Sequence, residues 1–129
     1  MPDTLFSAAQ LRELAARGIE AKLFRSESSR FWVNLVTKDH PDSIRAEMHD
    51  EEADIYLVLE GEGYLSLGGT LVQPTIPSPG QHRGVGLEGA DVAPLKAGDL
   101  VVIPEGTPHM VDARANRLVY LVVKCVTTE

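Results

Sequence analysis

Apolar positions first recur at helical spacing and then crowd into short runs. Over residues 8–17, Leu11, Leu14 and Ala15 share one face, Ser7 and Gln10 stand at capping-box spacing, and Gly18 follows as a stop. That pattern predicts a helix. From residue 31 onward the runs are short, β-branched or aromatic, and bounded by Gly, Pro or Asp; residues 31–37, 55–59, 64–67, 100–103 and 118–126 are predicted strands. Residues 60–63, Glu-Gly-Glu-Gly, read as a tight turn between two of them. Several runs are apolar at successive positions instead of alternating, as expected of strands covered on both faces in a two-sheet barrel that also dimerises. Many short strands separated by turns predict an all-β barrel or sandwich.

The middle of the chain breaks this pattern. Residues 73–89 carry Pro74, Pro77, Pro79, Gly80, Gly84, Gly86 and Gly89, which predicts a loop long enough to act as a flap over a binding site. Within it, Gly84-Val-Gly-Leu-Glu-Gly89 has dinucleotide-binding spacing. That mechanism needs a strand before the glycines and a helix after them, so that phosphate meets a helix N-terminus. Pro79-Gly80 precedes the motif and Pro94 follows too soon for a helix, so nucleotide binding is rejected.

The 129 residues predict a single compact unit, with a helix and lead-in strand over 1–29 and the principal domain over 30–129. Cys125 is the single cysteine and lies in an apolar run, which reads as a buried, inert thiol. No signal-peptide pattern and no membrane-length apolar run is seen, and a reducing, cytoplasmic location is expected. The net charge of −7, from 12 basic and 19 acidic residues without a basic cluster, argues against a nucleic acid partner. The expected partners are a small-molecule ligand and a second copy of the chain.

The chemistry concentrates around Ala46-Glu-Met-His-Asp-Glu-Glu-Ala-Asp54, which sets acids and a histidine against an apolar run. Strand side chains alternate faces, so Glu47 and His49 point the same way, and Asp54 can return to the same spot if it opens the next strand. Downstream, Gly98-Asp-Leu-Val-Val-Ile-Pro-Glu-Gly-Thr-Pro-His109 holds a second histidine in a turn stiffened by proline and glycine. Two imidazoles and one or two carboxylates suit a divalent transition metal: Mn, Fe(II) or Zn, with Ni also admissible.

The chain resembles a small single-domain cupin of the RmlC-like jelly-roll superfamily over residues 30–126. The family's first motif, His-x-His, three or four residues, Glu, six residues, Gly, is matched in spacing by Glu47-x-His49, four residues, Asp54, six residues, Gly61. Its second, Gly, five residues, Pro-x-Gly, two residues, His, three residues, Asn, is matched by Gly98, Pro104-Glu-Gly106, His109 and Ala113. The resemblance implies an all-β cupin jelly-roll barrel, here with a short N-terminal helix, whose metal is held by three histidines and a glutamate. Glu47 stands in place of the first histidine, Asp54 in place of the glutamate and Ala113 in place of the asparagine.

Glu47, His49, Asp54 and His109 are therefore the candidate metal ligands. Glu47 reads either as a ligand or as a rim residue, and Asp54 either as a direct ligand or as an acceptor orienting a histidine. Asp50, Glu51 and Glu52 read as a solvated turn, and His40 and His82 as loop histidines. Trp32 and Tyr56 read as packing residues lining the barrel. Arg45 shares the parity of Glu47 and His49, where it meets an anionic ligand or pairs with Glu47. Two functions fit: a metal-dependent enzyme acting on a small polar or carboxylated molecule, with the metal as Lewis acid or oxygen-binding site, or a non-catalytic small-ligand or metal-binding module. No reaction and no catalytic residue beyond the metal cluster is legible.

Overall fold

The computed structural model describes residues 3–39, 45–113 and 116–128, so His40 lies outside the described residues. Helix α1 (Ala8–Arg17) begins as the capping box requires: Gln10 N donates to Ser7 Oγ at 3.1 Å, and Ser7 N donates to Gln10 Oε1 at 2.8 Å. The strands are β1 (Glu20–Arg25), β2 (Phe31–Lys38), β3 (Ala46–His49), β4 (Glu52–Leu67), β5 (Thr70–Val72), β6 (Thr75–Ser78), β7 (Gln81–Gly84), β8 (Gly86–Glu88), β9 (Asp91–Lys96), β10 (Leu100–Ile103), β11 (His109–Asp112) and β12 (Leu118–Val126). Every pairing is antiparallel.

The first half of β4 lies between β12 and β10, extending the sheet β1-β2-β12-β4-β10. Its second half lies between β9 and β11, extending the sheet β9-β4-β11-β3-β7-β6. One strand thus turns the corner between two sheets, in a jelly-roll arrangement. The tight turn expected at residues 60–63 does not form, because that segment is inside β4. Its glycines serve close packing instead. Gly61 has φ +83°, and a Cβ there would fall 1.8 Å from the Arg117 carbonyl oxygen; a Cβ on Gly63 would fall 2.6 Å from that of Asp112. The β4–β12 register also shifts between Val119 and Tyr120, where the strand bends.

The loop expected over 73–89 is likewise replaced by β6, β7 and β8. Its prolines and glycines punctuate short strands, with Pro77 in β6, an edge strand paired on one side as proline requires. Strand β7 is hydrogen-bonded to β3 from Ala46↔Gly84 to His49↔Gln81, so this segment is part of the sheet and not a flap over it.

Between the sheets, Val58, Leu65, Ile103, Val111, Leu118 and Tyr120 belong to the main core. On the outer face of the β2–β12 pair, Leu35 and Val119 pack with Ala15, Leu11 and Leu14 of the helix. Burying such a side chain stabilises by about 1.5–3 kcal/mol. The consecutive apolar residues of β12 are thus explained: Leu118, Tyr120 and Val122 face the interior, while Val119 and Leu121 face the helix.

Gly61→Ala should destabilise by on the order of 3 kcal/mol or more, combining left-handed strain with a backbone clash. Gly80→Ala, with a similar φ of +77° and nothing within 4 Å of its Cβ, should lose only about 1 kcal/mol. Urea unfolding of the two variants checks this; equal losses would remove the close-approach argument.

Candidate metal centre

Four strands deliver the polar cluster. Glu47 and His49 project from one face of β3, and His109 opens β11 directly opposite Glu47. Asp54, near the start of β4, is paired in register with Lys124 of β12. The segment before His109 is tied to β3 by the Gly106 amide, which donates to the His49 carbonyl at 2.7 Å. Gly106 has φ +73°, the conformation that favours glycine here.

The ligand atoms of Glu47, His49 and His109 all lie within 4.8 Å of one another. Glu47 Oε2 is 3.9 Å from His49 Nε2 and 4.0 Å from His109 Nε2. An ion bonded at about 2.0–2.2 Å in tetrahedral geometry holds N and O donors about 3.3–3.6 Å apart, a few tenths of an ångström closer than Glu47 stands to the imidazoles here. Asp54 is brought to the same place: its Oδ2 is 3.4 Å from His49 Nε2 and 3.5 Å from His109 Nε2. All four residues singled out from the sequence therefore meet at one point.

The two imidazoles are held with Nε2 inward. His109 Nδ1 donates to the Thr107 carbonyl at 3.0 Å. His49 Nδ1 lies 2.5 Å from Gln81 Oε1, and Gln81 Nε2 donates to Glu52 Oε2 at 2.9 Å, which orients the amide with its oxygen towards the histidine. Such outer partners fix the tautomer that a metal-binding histidine needs. Among the described residues, His109 Nε2 is the one buried side-chain N or O atom without a hydrogen-bond partner. A buried imidazole nitrogen left unpaired is unfavourable unless something binds its lone pair. The donor set fits a divalent transition ion.

Lys124 was not anticipated. Its Nζ donates to Asp54 Oδ1 at 2.9 Å and lies 3.4 Å from His49 Nε2. It shares the parity of Leu118, Tyr120 and Val122, so a lysine on the inward face of an apolar strand was the available signal. Gln81 was missed as well; it lies in the segment read as a loop, where no periodicity marks a facing residue. Arg45 pairs with Glu47, Nε to Oε1 at 2.9 Å, and His82 pairs with the Asp50 carboxylate at 3.0 Å. Tyr56 is buried and donates to Asp54 Oδ2 at 3.3 Å, so it joins the site as well as the core.

These contacts set the charges. Burial works against ionised Asp54, but the hydrogen bond with His49 and the Lys124 ammonium outweigh it and hold the carboxyl down at about 2. Burial also opposes charge on His49, where the Asp54 carboxylate outweighs it and raises the imidazole. For His109 burial prevails and the value is lowered, favouring the neutral form a metal requires. Glu47 is lowered despite its burial by Arg45 and the two imidazoles. Beside the cluster opens a cavity of ≈ 660 Å³, lined by Trp32, Asn34 and Val36 of β2, Val122 of β12, and Arg83 of β7.

No family model and no curated relative matches the sequence. Solved structures do match its fold. A Bacillus halodurans protein superposes with a TM-score of 0.63 at 19% identity, covering 96% of this chain and 82% of its own. A cupin-like protein from Thermotoga maritima gives 0.58 at 19% identity, covering 84% and 68%. The structure of FeII HppE gives 0.60 at 18% identity, covering 81% of this chain and 48% of the other. The chain has the cupin jelly-roll fold.

Because its neighbours hold the Asp54 carboxyl down at about 2, below the ordinary carboxylate range, it contributes stability that is present above that range and lost as the pH falls towards 2. The contribution is on the order of 2–3 kcal/mol. In chelator-treated protein, the unfolding free energy of Asp54→Asn should fall less steeply over that range than that of the wild type. Parallel slopes would show that Asp54 is not held ionised by its neighbours.

Proposed function

We propose that this chain is a metal-binding cupin that holds one divalent transition ion on Glu47, His49 and His109 and takes a small polar or carboxylated molecule in the adjoining cavity. The observation that carries the reading is the buried, unpartnered Nε2 of His109, with Nδ1 anchored on Thr107 and a second inward-facing imidazole beside it. Mn, Fe(II) and Zn suit this nitrogen and carboxylate set. An ion there supplies Lewis acidity or a site for oxygen. The protein's own groups orient what enters. Arg45 and Glu47 form a charged edge at the opening, Trp32 offers an apolar wall, and Asn34 a hydrogen-bonding group.

The position of Lys124 favours a second reading. Its ammonium satisfies Asp54 and stands beside His49 Nε2, as a cation in a metal-free, non-catalytic ligand-binding module would.

Metal content separates the two. Protein produced with Mn, Fe and Zn supplied should contain about one ion per chain, and His109→Ala should abolish binding, since two donors are too few for a tight site. Glu47→Gln should weaken it by at least 10-fold. Negligible metal in the wild type would leave the non-catalytic module.

We also propose a homodimer. Leu57, Leu100 and Val102 are 41%, 65% and 58% exposed, and register pairs Leu100 with Leu57 and Val102 with Ile55 on the outer face of β4 and β10. Val102→Lys should convert the dimer to monomer in sedimentation experiments with metal binding unchanged; a monomeric wild type would end this assignment.

A further inference from the structure

Asp54 and Glu47 both reach the imidazoles, but they are not equally available. The Asp54 carboxylate is engaged at both oxygens: Oδ1 accepts from Lys124 Nζ at 2.9 Å and Oδ2 from the Tyr56 hydroxyl at 3.3 Å. Its side chain is 0% exposed. Glu47 uses Oε1 for Arg45 and leaves Oε2 facing His49 and His109. Glu47 and the two histidines form a set with ligand atoms within 4.8 Å of one another; Asp54 Oδ2 stands as near the two Nε2 atoms, at 3.4 and 3.5 Å, and what sets it apart is that its oxygens are already engaged by Lys124 and Tyr56.

Lys124 is held in place by the sheet. Strand β12 runs between β2 and β4, with Lys124 opposite Trp32 on one side and Asp54 on the other. Its ammonium cannot leave the buried carboxylate without stranding a charge in a low-dielectric interior, which is strongly unfavourable.

We propose, building on the metal-binding reading, that Lys124 is a positioning residue that keeps Asp54 out of the metal's coordination sphere. The centre then has three protein donors, Glu47, His49 and His109. Asp54 acts from outside, as a carboxylate paired with Lys124 beside the two ligating nitrogens. Two consequences follow for chemistry. More coordination positions stay open to water and to oxygens of a ligand than in a four-donor site. With one coordinating carboxylate instead of two, the ion also keeps a net positive charge, which suits an anionic, carboxylate-bearing ligand.

The test is a double-mutant cycle on the full chain, read by Mn²⁺ affinity and by the water-proton relaxation of bound Mn²⁺, which reports the number of waters on the ion. In the wild type, Asp54→Asn should weaken Mn²⁺ binding by only about 10- to 100-fold, as for an outer partner. Lys124→Met should free the carboxylate to ligate, so Mn²⁺ binds at least 10-fold tighter and relaxation falls as Asp54 replaces a water. In that background, Asp54→Asn should lose at least 10-fold more affinity than in the wild type and restore the relaxation. Such non-additivity is the signature of direct coupling. Lys124→Gln, which keeps an N–H for Asp54, carries the same test with a smaller shift if Lys124→Met is unstable. Equal losses from Asp54→Asn in both backgrounds with unchanged relaxation would overturn the proposal while leaving the metal site standing. A wild type that binds no Mn²⁺, Fe²⁺ or Zn²⁺ would instead overturn the metal-binding reading and this inference with it.

Discussion

The passage of β4 from one sheet to the other constrains everything else in this molecule. Its first half presents Asp54 and Tyr56 to the interior, and its second half supplies the edge on which β11 lies. Strand β11 in turn pairs with β3 and sets His109 opposite Glu47. A polar site assembled from β3, β4, β11 and β12 requires the two sheets to meet closely at the corner. Gly61 and Gly63 allow this, because side chains there would overlap the Arg117 and Asp112 carbonyls. The glycine that ends the first motif is thus a packing requirement, far along the strand from the residues it helps to align.

The interior is divided. Towards the corner it is dry, with Val58, Leu65, Ile103 and Leu118 in contact and little exposed. At the β3 end it is polar, and the groups around the cluster are paired: Asp54 with Lys124, Glu47 with Arg45, and His49 with Gln81. Buried polar groups are tolerated when the network is closed, and a single open position in such a network marks where something else binds. That open position is His109 Nε2.

Much of this was legible in the sequence. The helix could be placed because Ser7 and Gln10 state its start, and the long strands because their apolar residues are β-branched and bounded by turn formers. Parity placed Glu47 and His49 together, and motif spacing brought Asp54 and His109 to them. The errors share a physical origin. Gly and Pro read as turn and loop formers at 60–63 and 73–89, whereas the fold uses them for close packing inside β4 and to punctuate short strands. Whether a glycine relieves a turn or a close contact depends on what packs against it, and that neighbour, Arg117, is 56 residues away in the chain. Lys124 was hidden for a different reason. An apolar run invites averaging, and β12 is covered on both faces, so alternation that would have exposed one inward lysine is masked by Val119 and Leu121 beneath the helix.

The charge balance also changes what kind of ion the site would prefer. The sequence, with five carboxylates between residues 47 and 54, suggests a strongly acidic centre. In the fold, Asp50 turns to His82 and Glu52 to Gln81, while Asp54 is neutralised by Lys124. What faces the common point without a cationic partner is one Glu47 oxygen and two imidazole nitrogens, with the Lys124-paired Asp54 carboxylate beside them. Hard ions such as Mg²⁺ and Ca²⁺ are selected by oxygen-rich sites, whereas imidazole nitrogen favours first-row transition ions. The acidity of the segment therefore does not set the selectivity. The buried histidine pair, turned with Nε2 inward by the bonds of Nδ1 to Thr107 and Gln81, would do so in the proposed centre.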